Sequence, residues 1–119
     1  MDRKLRDVSI EELKKLPGIT NRNWLGEEWI HLHVWNPKKK LNWYLAEFDP
    51  EKKFFYGFAE NRSDGISSGN YTLEELLDYG KRGNDWDLLV DENWKPVYSK
   101  EIPYVKEYIK MMISLPDLF

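Results

Sequence analysis

The chain contains no cysteine, which excludes disulfides, thiolate metal sites and cysteine nucleophiles. Its only histidines are His31 and His33, so a zinc centre built on three imidazoles is out of reach. No apolar run approaches the length needed to span a bilayer, and the opening Met1-Asp2-Arg3-Lys4-Leu5-Arg6 is charged where a secretory leader would be apolar. No membrane association is expected, and a cysteine-free chain of this kind fits the cytoplasm. A phosphate-cradling glycine loop, a nucleophile elbow, an internal repeat and a low-complexity tract are missing as well.

Aromatic side chains are present in excess. A chain of 119 residues is expected to form a single domain, 1–119, with one core and no need for a metal staple. Its 41% hydrophobic and 33% charged residues are ordinary for such a domain, whereas 6 Trp and an aromatic fraction of 15% exceed what the core requires. The net charge of −3 is unevenly spread. Between Glu47 and Glu92 there are 12 acidic and 5 basic residues, against 9 acidic and 13 basic elsewhere. An acidic centre argues against nucleic acid as the partner, because such binders concentrate basic residues on one face.

Ser9-Ile10-Glu11-Glu12 has the capping-box spacing, Leu13 and Leu16 follow, and Pro17-Gly18 ends a short first helix. Ile19 to Glu28 reads as a polar loop carrying Trp24. Three strands come next: Trp29 to Trp35, Leu41 to Pro50 and Phe54 to Phe58. Asn61 to Asn70 reads as an exposed loop, and Thr72-Leu73-Glu74-Glu75 caps a helix through Leu76 and Leu77 that ends near Gly80 or Gly83. Trp86 to Val90 and Trp94 to Tyr98 read as two strands around Asp91-Glu92-Asn93, with Pro96 confining the second to an edge. Ile102, Val105, Ile109 and Met112 recur at helical spacing. The expected fold is α+β, an antiparallel meander of about 4 to 5 strands with helices at the N-terminus, after strand three and at the C-terminus.

Pairing Trp35 with Leu41 sets Leu32 opposite Tyr44 and His33 opposite Trp43, and the turn Asp49-Pro50-Glu51-Lys52 sets Phe48 opposite Phe54. Strict alternation then sorts Ile30, Leu32, Val34, Tyr44, Ala46, Phe48, Phe54, Tyr56 and Phe58 onto a core face. It sorts Trp29, His31, His33, Trp35, Trp43, Leu45, Glu47, Phe55, Gly57 and Ala59 onto the other. A one-residue slip would exchange the faces of a strand.

The elements Asn42-Trp43-Tyr44-Leu45-Ala46-Glu47-Phe48-Asp49-Pro50-Glu51, Phe55-Tyr56-Gly57-Phe58 and Gly69-Asn70-Tyr71-Thr72-Leu73-Glu74-Glu75-Leu76 resemble the bacterial domain-of-unknown-function family 2958 over roughly Trp29 to Pro96. The resemblance implies a small accessory protein of the kind carried on plasmids and other mobile elements, and it implies no catalytic set. Members tend to carry an acidic-Arg-Asp step before the last aromatic-x-Pro, and Gly83 to Trp94 contains no arginine.

The candidate partner-binding set is Trp29, His31, His33, Trp35, Trp43, Glu47 and Phe55, an aromatic platform of the composition that concentrates at interface hot spots. A second candidate surface is acidic: Asp64, Glu74, Glu75, Asp78, Asp85, Asp87, Asp91 and Glu92. The expected function is a non-enzymatic protein-interaction module of a bacterial mobile element or phage. In its specific form it is an acidic inhibitor occupying the groove of a host nucleic-acid-binding defence protein. No cofactor is expected. The alternative is a metal-dependent hydrolase, since His31 and His33 alternate on one strand roughly 7 Å apart with Glu47 on the next. A third reading is a nucleic-acid-binding accessory protein. Asp49 before Pro50 is explained as a turn starter.

Overall fold

The computed structural model describes residues 3–19, 27–36, 40–61, 65–81 and 88–114. Its centre is a six-stranded sheet in the order β1-β7-β3-β4-β5-β6, all neighbours antiparallel. The strands are β1 (Arg3–Lys4), β3 (Leu32–Asn36), β4 (Leu41–Asp49), β5 (Phe54–Asn61), β6 (Gly65–Thr72) and β7 (Leu89–Val90). A second, two-stranded sheet pairs β2 (Trp29–Ile30) with β8 (Val97–Tyr98). The helices are α1 (Ile10–Leu13), α2 (Leu73–Lys81) and α3 (Pro103–Ser114). The α+β class and the antiparallel meander are as expected, but the large sheet has six strands where about 4 to 5 were expected, and α2 follows the fourth meander strand, not the third. Among the described residues, no helix is long and apolar enough to cross a membrane.

Two helix starts follow the chemistry read from the sequence. Ser9 caps α1 by accepting the Glu12 amide at 3.2 Å, although the Glu12 carboxylate turns outward and forms a two-pronged pair with Arg3. Thr72 accepts the Glu75 amide at 3.0 Å and gives its hydroxyl proton to the Glu75 side chain. The turn at Asp49-Pro50 is held by Asp49 Oδ1, which accepts the amides of Glu51 and Lys52.

Several expectations are corrected. The register is offset by one residue: Asn36 pairs with Leu41, Leu32 with Leu45, His33 with Tyr44 and Val34 with Trp43, and Phe48 pairs with Phe55. Gly65 to Thr72, of which Gly65 to Asn70 fall in the expected exposed loop, forms the fourth meander strand along the full length of β5. Its Gly, Ser and Asn residues have weak strand propensity, and pairing to β5 supplies what propensity does not. Leu89-Val90 and Val97-Tyr98 are not a hairpin: β7 enters the large sheet beside β3, while β8 joins β2. Trp24, Asp64, Gly83, Asp85, Trp86 and Asp87 lie outside the described residues.

The offset decides what each face buries. Leu32, Val34, Leu41, Trp43, Leu45, Phe48 and Phe55 form one core beneath the N-terminal segment and α2, with Leu5, Leu13, Leu76, Leu88 and Val90. Ile30, Tyr44, Ala46 and Phe58 form a second core on the other face, covered by Ile102, just before α3, and by Val105 and Ile109 of α3. Both faces are therefore occupied by the chain itself. The helical spacing of Ile102, Val105 and Ile109 carries the lid over the second face, and Tyr104 on the same helix stays exposed.

Candidate functional site

The feature that shapes the site is a bulge in β4 between Leu45 and Glu47. Before it, Leu41, Trp43 and Leu45 point into the first core; after it, Phe48 does so again. Ala46 and Glu47 therefore share the opposite side, where Glu47 pairs with Tyr56. Backbone bonds hold both flanks: the His31 amide donates to Leu45 O at 3.0 Å, and the Phe48 amide donates to Pro17 O at 2.9 Å.

Beside the bulge is a cavity of about 130 Å³, lined by Glu28, Trp29, His31, Glu47, Tyr56 and backbone neighbours Pro17 and Ala46. Glu28 and Glu47 are each only 6% exposed. The Glu28 carboxylate accepts Ser99 Oγ–H at 2.8 Å and makes a longer contact, 3.4 Å, with the Tyr56 hydroxyl, while Glu28 O accepts the Ser99 amide. Among the described lining residues none is Lys or Arg. Trp29 stands at the outer side, 39% exposed, with Tyr98 packed edge-on at 4.6 Å between ring centres.

The aromatic platform expected from alternation is divided into three groups. Trp29, His31 and Glu47 meet at this cavity. Trp43 and Phe55 are buried in the first core and contribute no surface. His33 and Trp35 sit on the second face, their rings stacked at 5.9 Å, and His33 also stacks on Tyr44 at 5.1 Å. His33 is locked by polar bonds too: Nδ1 lies 2.8 Å from Asp91 Oδ2 and Nε2 lies 2.7 Å from Asn42 Oδ1. Asn42 in turn donates Nδ2–H to Glu60 at 2.8 Å, so its amide oxygen faces the imidazole.

This occupation removes His33 from any shared site with His31 and Glu47. Among the described residues no trio of His, Cys, Asp or Glu is placed to hold a metal ion. The acidic set is likewise divided. Glu74, Glu75 and Asp78 are exposed on α2, Asp91 is engaged by His33 and by the Asn93 amide, and Glu92 pairs with Arg3.

Titration follows from burial. Burial, reinforced by Glu28, pushes the Tyr56 phenol from 10.0 up to about 12, and burial pushes Tyr44 upward as well. A phenol raised on folding contributes stability that is whole below its unfolded value of 10.0 and is lost as pH climbs through the folded one. His31 is shifted the other way, below 6.5, because partial burial disfavours its charged form. Its contribution is present above 6.5 and is lost as pH falls through the lower folded value. Thermal melts across pH should show a plateau between these limits. Tyr56→Phe should shorten the alkaline decline and His31→Gln the acid one; unchanged limbs in both variants would contradict the assignment.

Glu28 and Tyr56 were missed from sequence. Glu28 was read as loop and Tyr56 as core, and the partner that buries Glu28 is Ser99, 71 positions away. No local pattern announces that contact. Comparison with protein-family models, curated proteins and solved structures returns no match to this chain.

Proposed function

We propose that this protein is a non-enzymatic interaction module that receives a basic side chain of a partner protein in the cavity between Glu28 and Glu47. The observation that carries this reading is the pair of buried acidic side chains flanking Tyr56 in one small cavity beside the exposed Trp29. Drug-sized and cofactor ligands need pockets of roughly 300–1,000 Å³. A volume of about 130 Å³ suits the head of one side chain. A guanidinium or ammonium complements an acidic lining in sign, and its stem can lie along the Trp29 face. The exposed acids Glu74, Glu75 and Asp78 add long-range attraction for the same basic partner.

The resemblance to family 2958 supplies the setting, a small accessory protein of a bacterial mobile element or phage. In that setting the partner is a host nucleic-acid-binding defence protein, whose cations this protein engages in place of phosphates.

The test is calorimetric titration with an arginine hexapeptide and its uncharged citrulline counterpart at low and high salt. The arginine peptide should bind and weaken with salt, and the citrulline peptide should not bind. Glu47→Gln and Trp29→Ala should each weaken binding by about tenfold, the equivalent of about 1.4 kcal/mol. Equal binding of both peptides, or retention of full affinity in both variants, would overturn the reading.

A further inference from the structure

A second cavity lies at the other end of the same sheet face and shares no lining residue with the first. Its volume of about 610 Å³ falls within the size range of small-molecule sites. The floor is one cross-strand row. Trp35 pairs with Asn42, Asn42 with Glu60, and Glu60 with Ile66, so four adjacent strands each contribute one side chain to a line. Tyr104, at the start of α3 and 65% exposed, adds a second aromatic wall, and Lys40 stands among the lining residues.

The polar centre of this row is fixed from behind. Asp91 and Asn42 hold His33 at 2.8 and 2.7 Å, and Asn42 gives its amide N–H to Glu60. Such a connected network aims the Glu60 carboxylate at the cost of ordering every member. Since a carboxylate accepts at about four positions, the bond from Asn42 leaves capacity on the cavity side. The site thus offers aromatic faces, an acceptor-only centre and, among the described residues, one cation.

We propose that this cavity binds a purine mononucleotide of the guanine type. A flat ring lying over Asn42 gains stacking from Trp35 and Tyr104. Guanine turns two neighbouring donors, N1–H and the N2 amino group, toward Glu60, which takes them with paired oxygens. Adenine presents one donor and one acceptor at the same edge, so its ring nitrogen would face the carboxylate lone pairs. The phosphate pairs with Lys40. A plain organic cation satisfies Glu60 but is repelled by Lys40, whereas a nucleotide satisfies both.

Calorimetric titration of the full chain with GMP, AMP and guanosine tests this. GMP should bind one to one, AMP at least tenfold more weakly, and guanosine more weakly than GMP and without salt dependence. Tyr104→Ala, at an exposed position that leaves the core intact, should weaken GMP binding at least tenfold. Glu60→Gln should erase the preference over AMP, and Lys40→Gln should bring GMP to the level of guanosine. Absence of GMP binding by the folded protein, equal affinity for GMP and AMP, or full affinity in Tyr104→Ala would each overturn the proposal. Glu47→Gln should leave GMP binding unchanged, which separates this site from the arginine cavity.

Discussion

Replacing Gly57 with alanine should destabilise the protein by about 3 kcal/mol or more, at the upper end of overpacking effects. The cause is backbone, which cannot swing aside as a side chain can. A Cβ on Gly57 would stand 2.9 Å from Leu45 Cα and 3.0 Å from Tyr44 C, with the Tyr44 carbonyl oxygen closer still. Gly57 pairs with Leu45 at the last step before the bulge, where the β4 backbone lies directly against the glycine. The added methyl group therefore forces the two central strands apart where their register shifts. Chemical denaturation followed by circular dichroism reads the loss directly, and a stability within 1 kcal/mol of wild type would mean that the strands do not approach as described.

Phe55→Ala should cost about 3–5 kcal/mol, the range for removing a large aromatic from a close-packed core. Phe55 is fully buried, with the Phe48 ring 4.7 Å away, and the helices covering that face leave no room for solvent to fill the space. Trp29→Ala should cost about 1 kcal/mol, the scale of its edge-on contact with Tyr98, while reducing binding of the arginine peptide. The contrast separates two aromatic residues that strict alternation had assigned to the same platform. Comparable stability losses in the two variants would show that Trp29 belongs to the packed interior, and comparable binding losses would show that Phe55 belongs to the surface.

What could be read in advance was local. The hydroxyl caps at Ser9 and Thr72, the Asp49 turn and the apolar period of α3 are decided by residues within one or two turns of one another, and each appears in the structure. The bulge was not legible, because its anchor is the carbonyl of Pro17, a tertiary contact invisible to periodicity. One extra residue there moves Glu47 to the side of Tyr56, while the register offset separates His33 and Trp35 from Trp43. β6 was obscured for a related reason, since its Gly-Ser-Asn composition describes a loop until β5 is beside it. Of the aromatic platform, the sequence identified Trp29, His31 and Glu47 as a group that does converge, but Glu28 enters only through Ser99.

All of the site chemistry depends on the direction Glu47 takes from the bulge. A nuclear Overhauser spectrum of isotope-labelled protein observes that direction without reference to any ligand. Cross-peaks from the Glu47 side chain to the Tyr56 ring, together with Phe48 to Phe55, are the expected result. Cross-peaks placing Glu47 among Trp43 and Leu45 would restore unbroken alternation and remove the acidic cavity.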